Sequence, residues 1–142
     1  MKQLEQLYDE LEKYNIPVVK VDFHNKKAGI ASNGKDTVIA VDYKKIEDSK
    51  EEKMIIAEEK AHYETGALYL INADKTTIDK MEYKANKKVY NELIPLKELK
   101  KLCEKGLSVV ELSDYFGIPI QDVLVAQFLY SNIENYCEEA LL

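Results

Sequence analysis

The alternation of apolar and polar positions divides this chain into elements before any chemistry is considered. Leu4, Leu7, Tyr8, Leu11 and Tyr14 recur at helical spacing among charged residues, which predicts an amphipathic first helix over Lys2 to Tyr14. After Pro17, Val19, Val21 and Phe23 alternate with Lys20 and Asp22 as a half-buried strand does. Between Gly29 and Asp42 the dipeptide Asn33-Gly34 separates Ile30-Ala31-Ser32 from the run Thr37 to Val41, the pattern of a hairpin. The expectation is a small antiparallel sheet of about three strands. Such a sheet has one apolar side and needs helices to cover it.

The helices follow in the sequence. Ser49 with Glu52 three residues later reads as a capping box and Gly66 as a stop, predicting a helix over about Lys50 to Thr65 with Ile55, Glu58 and His62 in its inward row. A short apolar segment, Ala67 to Ile71, and a turn at Asn72 to Asp74 lead to a further helix over Thr77 to Leu93, ended by Pro95. Its apolar row is Ile78, Met81, Ala85 and Val89, with Glu82 and Asn86 on the flank. Leu96 to Gly106 reads as a short helix, and Ser113, Gly117 and Val123 then occupy the small, turn and apolar positions of a helix-turn-helix. The fold class expected is α+β, with a core over residues 1–95 and a C-terminal helical subdomain over 96–142.

Composition narrows the function. With 142 residues, 46% of them hydrophobic, the chain is the size of one ordinary domain with a true core. No apolar run reaches membrane-spanning length and the first residues carry no hydrophobic signal region, so a cytoplasmic protein without a membrane partner is expected. Cys103 and Cys137 fit neither a C-x-x-C pair nor a disulfide framework and read as reduced thiols. All 20 basic residues are lysine, and the net charge is −6. From Ser108 onward there are six acids and no base, which argues against the helix-turn-helix-like region approaching phosphates. Direct nucleic-acid binding is therefore not expected, and the motif reads as a packing unit.

The stretch that carries chemistry is Met54 to Gly66, where Glu58, Glu59 and His62 form E-E-x-x-H. In the metallopeptidase pattern H-E-x-x-H, two histidines one helical turn apart bind zinc and the glutamate beside the first handles protons. Here a carboxylate stands in the first ligand place, which zinc accepts, and Glu59 is rotated by about 100° from the ligand face. Glu82, 20 positions after His62 on the next helix, would supply a third ligand, leaving a fourth position for water as in a catalytic site. His24, the only other histidine, and Tyr63 or Tyr83 are candidates for stabilising an oxyanion. None of them is singled out by its spacing.

Over most of its length the chain resembles the small phage and mobile-element zinc peptidases of the ImmA/IrrE type. The residues concerned are V-I-A-V-D at Val38 to Asp42, A-E-E-x-x-H-Y-x-T-G at Ala57 to Gly66, E-x-x-A-N at Glu82 to Asn86 with L-I-P at Leu93 to Pro95, and the unit Leu112 to Pro119. The resemblance implies a minimal zincin-like core, with Glu59 as general base and His62 and Glu82 as metal ligands. Glu58 takes a ligand place that is histidine in better-known members. It further implies hydrolysis of a peptide bond in a helix-turn-helix repressor, with Zn2+ as cofactor or, given the extra carboxylate, another divalent ion such as Mn2+. Two alternatives are a domain that binds a repressor without cutting it and a DNA-binding regulator acting through the C-terminal helices.

Overall fold

The computed structural model describes residues 2–66 and 73–134, with side chains to residue 131. It is a mixed α+β protein that divides into two compact units, residues 2–89 and residues 90 onward. No helix among the described residues is long and apolar enough to cross a membrane. The apolar segment expected at Ala67 to Ile71, and Cys137, lie outside the described residues.

In the first unit, α1 (Leu4–Lys13) buries Leu7 and Leu11 and lies against α2 (Ser49–Glu64). Three strands, β1 (Val18–Lys20), β2 (Ala28–Ser32) and β3 (Thr37–Val41), form a sheet in the order β1-β3-β2. The hairpin is present, with Ser32 opposite Thr37. Its loop spans Asn33 to Asp36, held by the Asn33 side chain accepting from the Lys35 and Asp36 amides, while Gly34 takes a left-handed φ of 89°. Ile39 and Val41 of the central strand are buried.

The all-antiparallel sheet expected from the sequence is corrected in one place: β1 runs parallel to β3, with Val18 opposite Ile39. The hairpin signal is local and is written in the turn. The partner of β1, by contrast, is chosen by the path of the chain after α1, where the Pro17 carbonyl accepts from the Ile39 amide and fixes the direction. The strand is also shorter than its alternation suggested, and Val19 is exposed.

The loop from β1 to β2 is tied down by Asp42 at the end of β3. Its buried carboxylate accepts from the Phe23 amide at 3.1 Å and from Lys45 Nζ at 2.7 Å, and Lys45 also donates to the Phe23 carbonyl. These bonds, led by the one from Lys45, hold the Asp42 carboxyl below its ordinary value. α2 then begins one residue earlier than the capping box placed it. Asp48, not Ser49, is the cap, its side chain accepting from the Glu51 amide at 2.9 Å. Gly66, with φ of 66°, ends the helix as expected.

α3 (Lys75–Leu93) starts at Asp74, whose carboxylate accepts from the Thr77 amide. Ala85 and Val89 of its predicted apolar row are buried, whereas Asn86 is exposed. The second unit holds the last turn of α3 with α4 (Leu96–Glu104), α5 (Val109–Phe116) and α6 (Ile120–Glu134). Ser108 caps α5 in a capping box with Glu111, and Gly117 turns the chain at φ of 68°. Ser113 is small because its hydroxyl reaches the Ile118 carbonyl at 2.6 Å inside the turn. Leu99, Leu112, Phe116, Ile118, Val123 and Ala126 are fully buried around it.

Candidate functional site

Every residue of the candidate site lies in the first unit. α2 delivers Glu58, Glu59 and His62, and α3 delivers Glu82. The buried face of α2 is Lys53, Met54, Ile56, Ala57, Lys60, Ala61 and His62, so the inward row is turned away from the expected Ile55–Glu58–His62 line. Ile55 and Glu58 are half-buried at its edge and His62 lies within it. The reason is α1, which covers the Lys60 side of the helix.

Lys60 is a residue that nothing in its neighbouring sequence marks for burial. Its side chain is 1% exposed, with Nζ 2.7 Å from Glu10 of α1 and 2.7 Å from Glu64 one turn along α2. Glu10 also pairs with Lys2 at 2.5 Å, Glu64 approaches Lys88 of α3 at 3.9 Å, and the Tyr14 hydroxyl donates to Glu64 at 2.6 Å. The last bond, with burial, pushes the Tyr14 hydroxyl up to about 12. This ionic lattice anchors the helix that carries the site, beginning two residues before His62.

Of the expected site residues, the structure brings His62 and Glu82 together. Nε2 of His62 lies 3.5 Å from Oε1 of Glu82, with the histidine mostly buried and the glutamate side chain 41% exposed. That distance is long for a good N–H···O hydrogen bond. It is close to the separation of two atoms sharing one tetrahedral zinc, which at about 2.1 Å per bond lie roughly 3.4 Å apart. One imidazole nitrogen and carboxylate oxygens are also a donor set that zinc and, with more oxygen, manganese accept. These two residues fit a divalent ion. A group of three or more His, Cys, Asp or Glu side chains placed to hold a metal does not occur among the described residues. Glu58, one helical turn before His62, is half-buried on the same helix.

Glu59 stands beside the pair. Burial pushes its carboxyl above the ordinary value and the negative charge of Glu82 adds to this, while His62 and Lys26 act the other way. A carboxyl raised in this way holds a proton more readily, as a group that shuttles one must. Lys26 is a contributor that the sequence did not single out. It sits in the β1–β2 loop with Nζ 4.7 Å from the centre of the Phe23 ring, and its place against Gly29 depends on the absence of a side chain there. A lysine between Asn25 and Lys27 carries no motif, so nothing in the sequence marks it.

His24 and Tyr83 are exposed, and the Tyr63 ring packs at 5.2 Å from that of Tyr14. Cys103, in the second unit, is a half-buried free thiol that accepts from the Gln127 amide at 3.8 Å.

No family model, curated protein or solved structure compared with the chain matches it significantly. The chemistry of the site rests on its own residues.

Proposed function

We propose that the first unit is a metal-dependent peptidase of cytoplasmic, phage or mobile-element type, acting on a peptide bond of a repressor-class protein. The observation that carries this reading is the 3.5 Å approach of His62 to Glu82, from two helices, beside a glutamate whose carboxyl burial pushes up. Glu58, His62 and Glu82 would hold the ion. A bound divalent ion supplies a polarised carbonyl and a water that ionises near neutral pH. Glu59 takes the proton from the attacking water and returns it to the leaving amine, which its raised affinity for a proton favours. The resemblance in E-E-x-x-H and in the segment around Glu82 supports the substrate class.

Metal analysis of the purified chain is the first test: about one Zn2+ or Mn2+ per chain is expected, lost in His62→Ala and retained in Glu59→Gln. The second is cleavage of a helix-turn-helix repressor, which Glu59→Gln should abolish. A chain that takes up no divalent ion would instead support the second reading, a domain that binds a repressor without cutting it. That reading is favoured by the lack, among the described residues, of a group of three or more side chains placed to hold a metal.

A further inference from the structure

A cavity of about 580 Å³ opens between the end of α1, the start of β1 and the 3-10 turn Tyr43–Lys45 that follows β3, all within the first unit. That volume falls in the range of small-ligand sites. Leu11, Ile16, Pro17 and Val18 give it an apolar wall, and Tyr8 and Tyr43 add two aromatic rings. The wall is held by the backbone. The Ile16 amide donates to the Leu11 carbonyl at 2.9 Å, Asn15 turns the chain at a left-handed φ of 58°, and the Pro17 carbonyl accepts from the Ile39 amide at 3.0 Å.

The chemistry of the lining follows from counting protons. The Tyr8 hydroxyl donates to Glu52 of α2 at 2.7 Å, and its oxygen lies 2.9 Å from the Tyr43 hydroxyl. Tyr8 has a single proton, which goes to Glu52, so Tyr43 is the donor in the second bond. Burial, with the bonds to Tyr43 and Glu52, pushes the Tyr8 hydroxyl well above its ordinary value, which keeps it a neutral donor. Tyr43 is left with acceptor capacity and no proton to give. Glu12 also lines the cavity, and among the described residues its carboxylate meets no hydrogen-bond or ion-pair partner. Glu5, Tyr8 and Glu12 recur at i, i+3 and i+7 and so share one face of α1. Of the lysines nearest in sequence, Lys44 pairs with Asp22 at 3.6 Å and Lys45 with Asp42 at 2.7 Å, Lys13 and Lys20 are exposed, and none of the four lines the cavity. Apart from Asn15, whose amide both donates and accepts, the polar side chains of the lining have acceptors to offer and one negative charge.

We propose that this cavity binds a small organic ammonium ion, its charge between Glu12 and the Tyr43 oxygen and its hydrocarbon stem along Ile16, Pro17 and Val18. An ammonium group carries only donors, and tyrosine faces attract it, so it complements this lining where a carboxylate is repelled and an alcohol brings no charge. A free alkylamine and the lysine side chain of a peptide share this chemistry. The site has no residue in common with the proposed peptidase centre and does not depend on it.

The test is titration of the full chain with n-hexylammonium, followed by amide NMR, with n-hexanol and hexanoate as neutral and anionic counterparts. Saturable shifts are expected in the second half of α1, in residues 15–20 and in residues 43–45, with at least tenfold tighter binding than hexanol and no saturation by hexanoate. Glu12→Gln alters an exposed side chain without partners, so its urea midpoint should match the wild type while affinity for hexylammonium falls at least fivefold. Tyr43→Phe should weaken binding as well. Nα-acetyl-lysine methylamide separates the two sources: binding as tight as that of hexylammonium assigns the site to a lysine side chain, and weaker but saturable binding assigns it to a free amine. The proposal is overturned if hexylammonium does not saturate, if hexanol or hexanoate binds as tightly, if the shifts fall elsewhere, or if Glu12→Gln leaves the affinity unchanged.

Discussion

α2 and α6 break the usual rule of burial in opposite directions. α2 buries polar side chains: Lys53, Lys60 and His62 lie inside while the half-buried Ile55 does not. α6 exposes apolar surface, with Leu124, Val125 and Phe128 in water and Gln127 fully buried. A charge can be buried only where its partners are supplied, and Glu10 and Glu64 do so for Lys60. An apolar stripe carries no such requirement. The first helix is committed to its own unit, and the second keeps apolar surface in water.

The largest test of this contrast compares two phenylalanines. Phe116 of α5 is fully buried, and Phe116→Ala should cost about 3–5 kcal/mol by urea unfolding. Phe128→Ala, on the outward face, should stay within about 0.5 kcal/mol. A large cost at Phe128 would mean that the α6 stripe is already packed.

Next in size is Lys60→Ala, which removes the cation that Glu10 and Glu64 share and leaves them only Lys2 and Lys88. It should destabilise the first unit by about 3 kcal/mol, at the low end for a broken buried pair because both glutamates retain some solvent. Lys60→Met should cost less, since it fills the volume. A neutral result for both would reduce the lattice to surface decoration.

A subtler effect distinguishes two glutamates by pH. Although burial alone would raise it, Glu10 is held below its ordinary value by Lys2 and Lys60, so its stabilisation is present above pH 4.5 and is lost as pH falls through its folded value. Glu59 is raised, so its ionisation above pH 4.5 opposes folding as pH climbs through its folded value. With chelator present, Glu59→Gln should therefore raise the urea midpoint at pH 7, and the gain should vanish below about pH 4.5, where Glu59 is protonated folded or unfolded. A gain that persists in acid would assign it to packing instead. A modest change is expected for Asp48→Ala, about 1 kcal/mol from loss of the cap that starts α2.

Local signals were legible in the sequence for local reasons. The hairpin at Asn33-Gly34, the stop at Gly66, the turn at Gly117 and the buried small Ser113 each depend on a backbone angle or a side chain within a few residues, so residue type alone announces them. The pairing of His62 with Glu82 was anticipated as well, because helical spacing and the connector length limit where Glu82 can go. The cap at Asp48 was misplaced by one residue, since aspartate and serine compete for the same amide and only the path of the chain entering the helix selects between them.

What only the tertiary structure decided is how elements distant in sequence meet. The parallel direction of β1 depends on where the chain emerges from α1, and the burial of Lys60 depends on Glu10, 50 positions earlier, reaching it at 2.7 Å. The field of Lys26 at Glu59 belongs to the same class. Which half of α6 meets the core and which meets water is set by the helices packed against it. The sequence by itself determined an α+β chain with a carboxylate-rich E-E-x-x-H helix and an acidic C-terminal end, because these are properties of composition and spacing. Which charges lie inside and which hydrophobic side chains lie outside required the fold, because burial is a relation between elements that no single stretch contains.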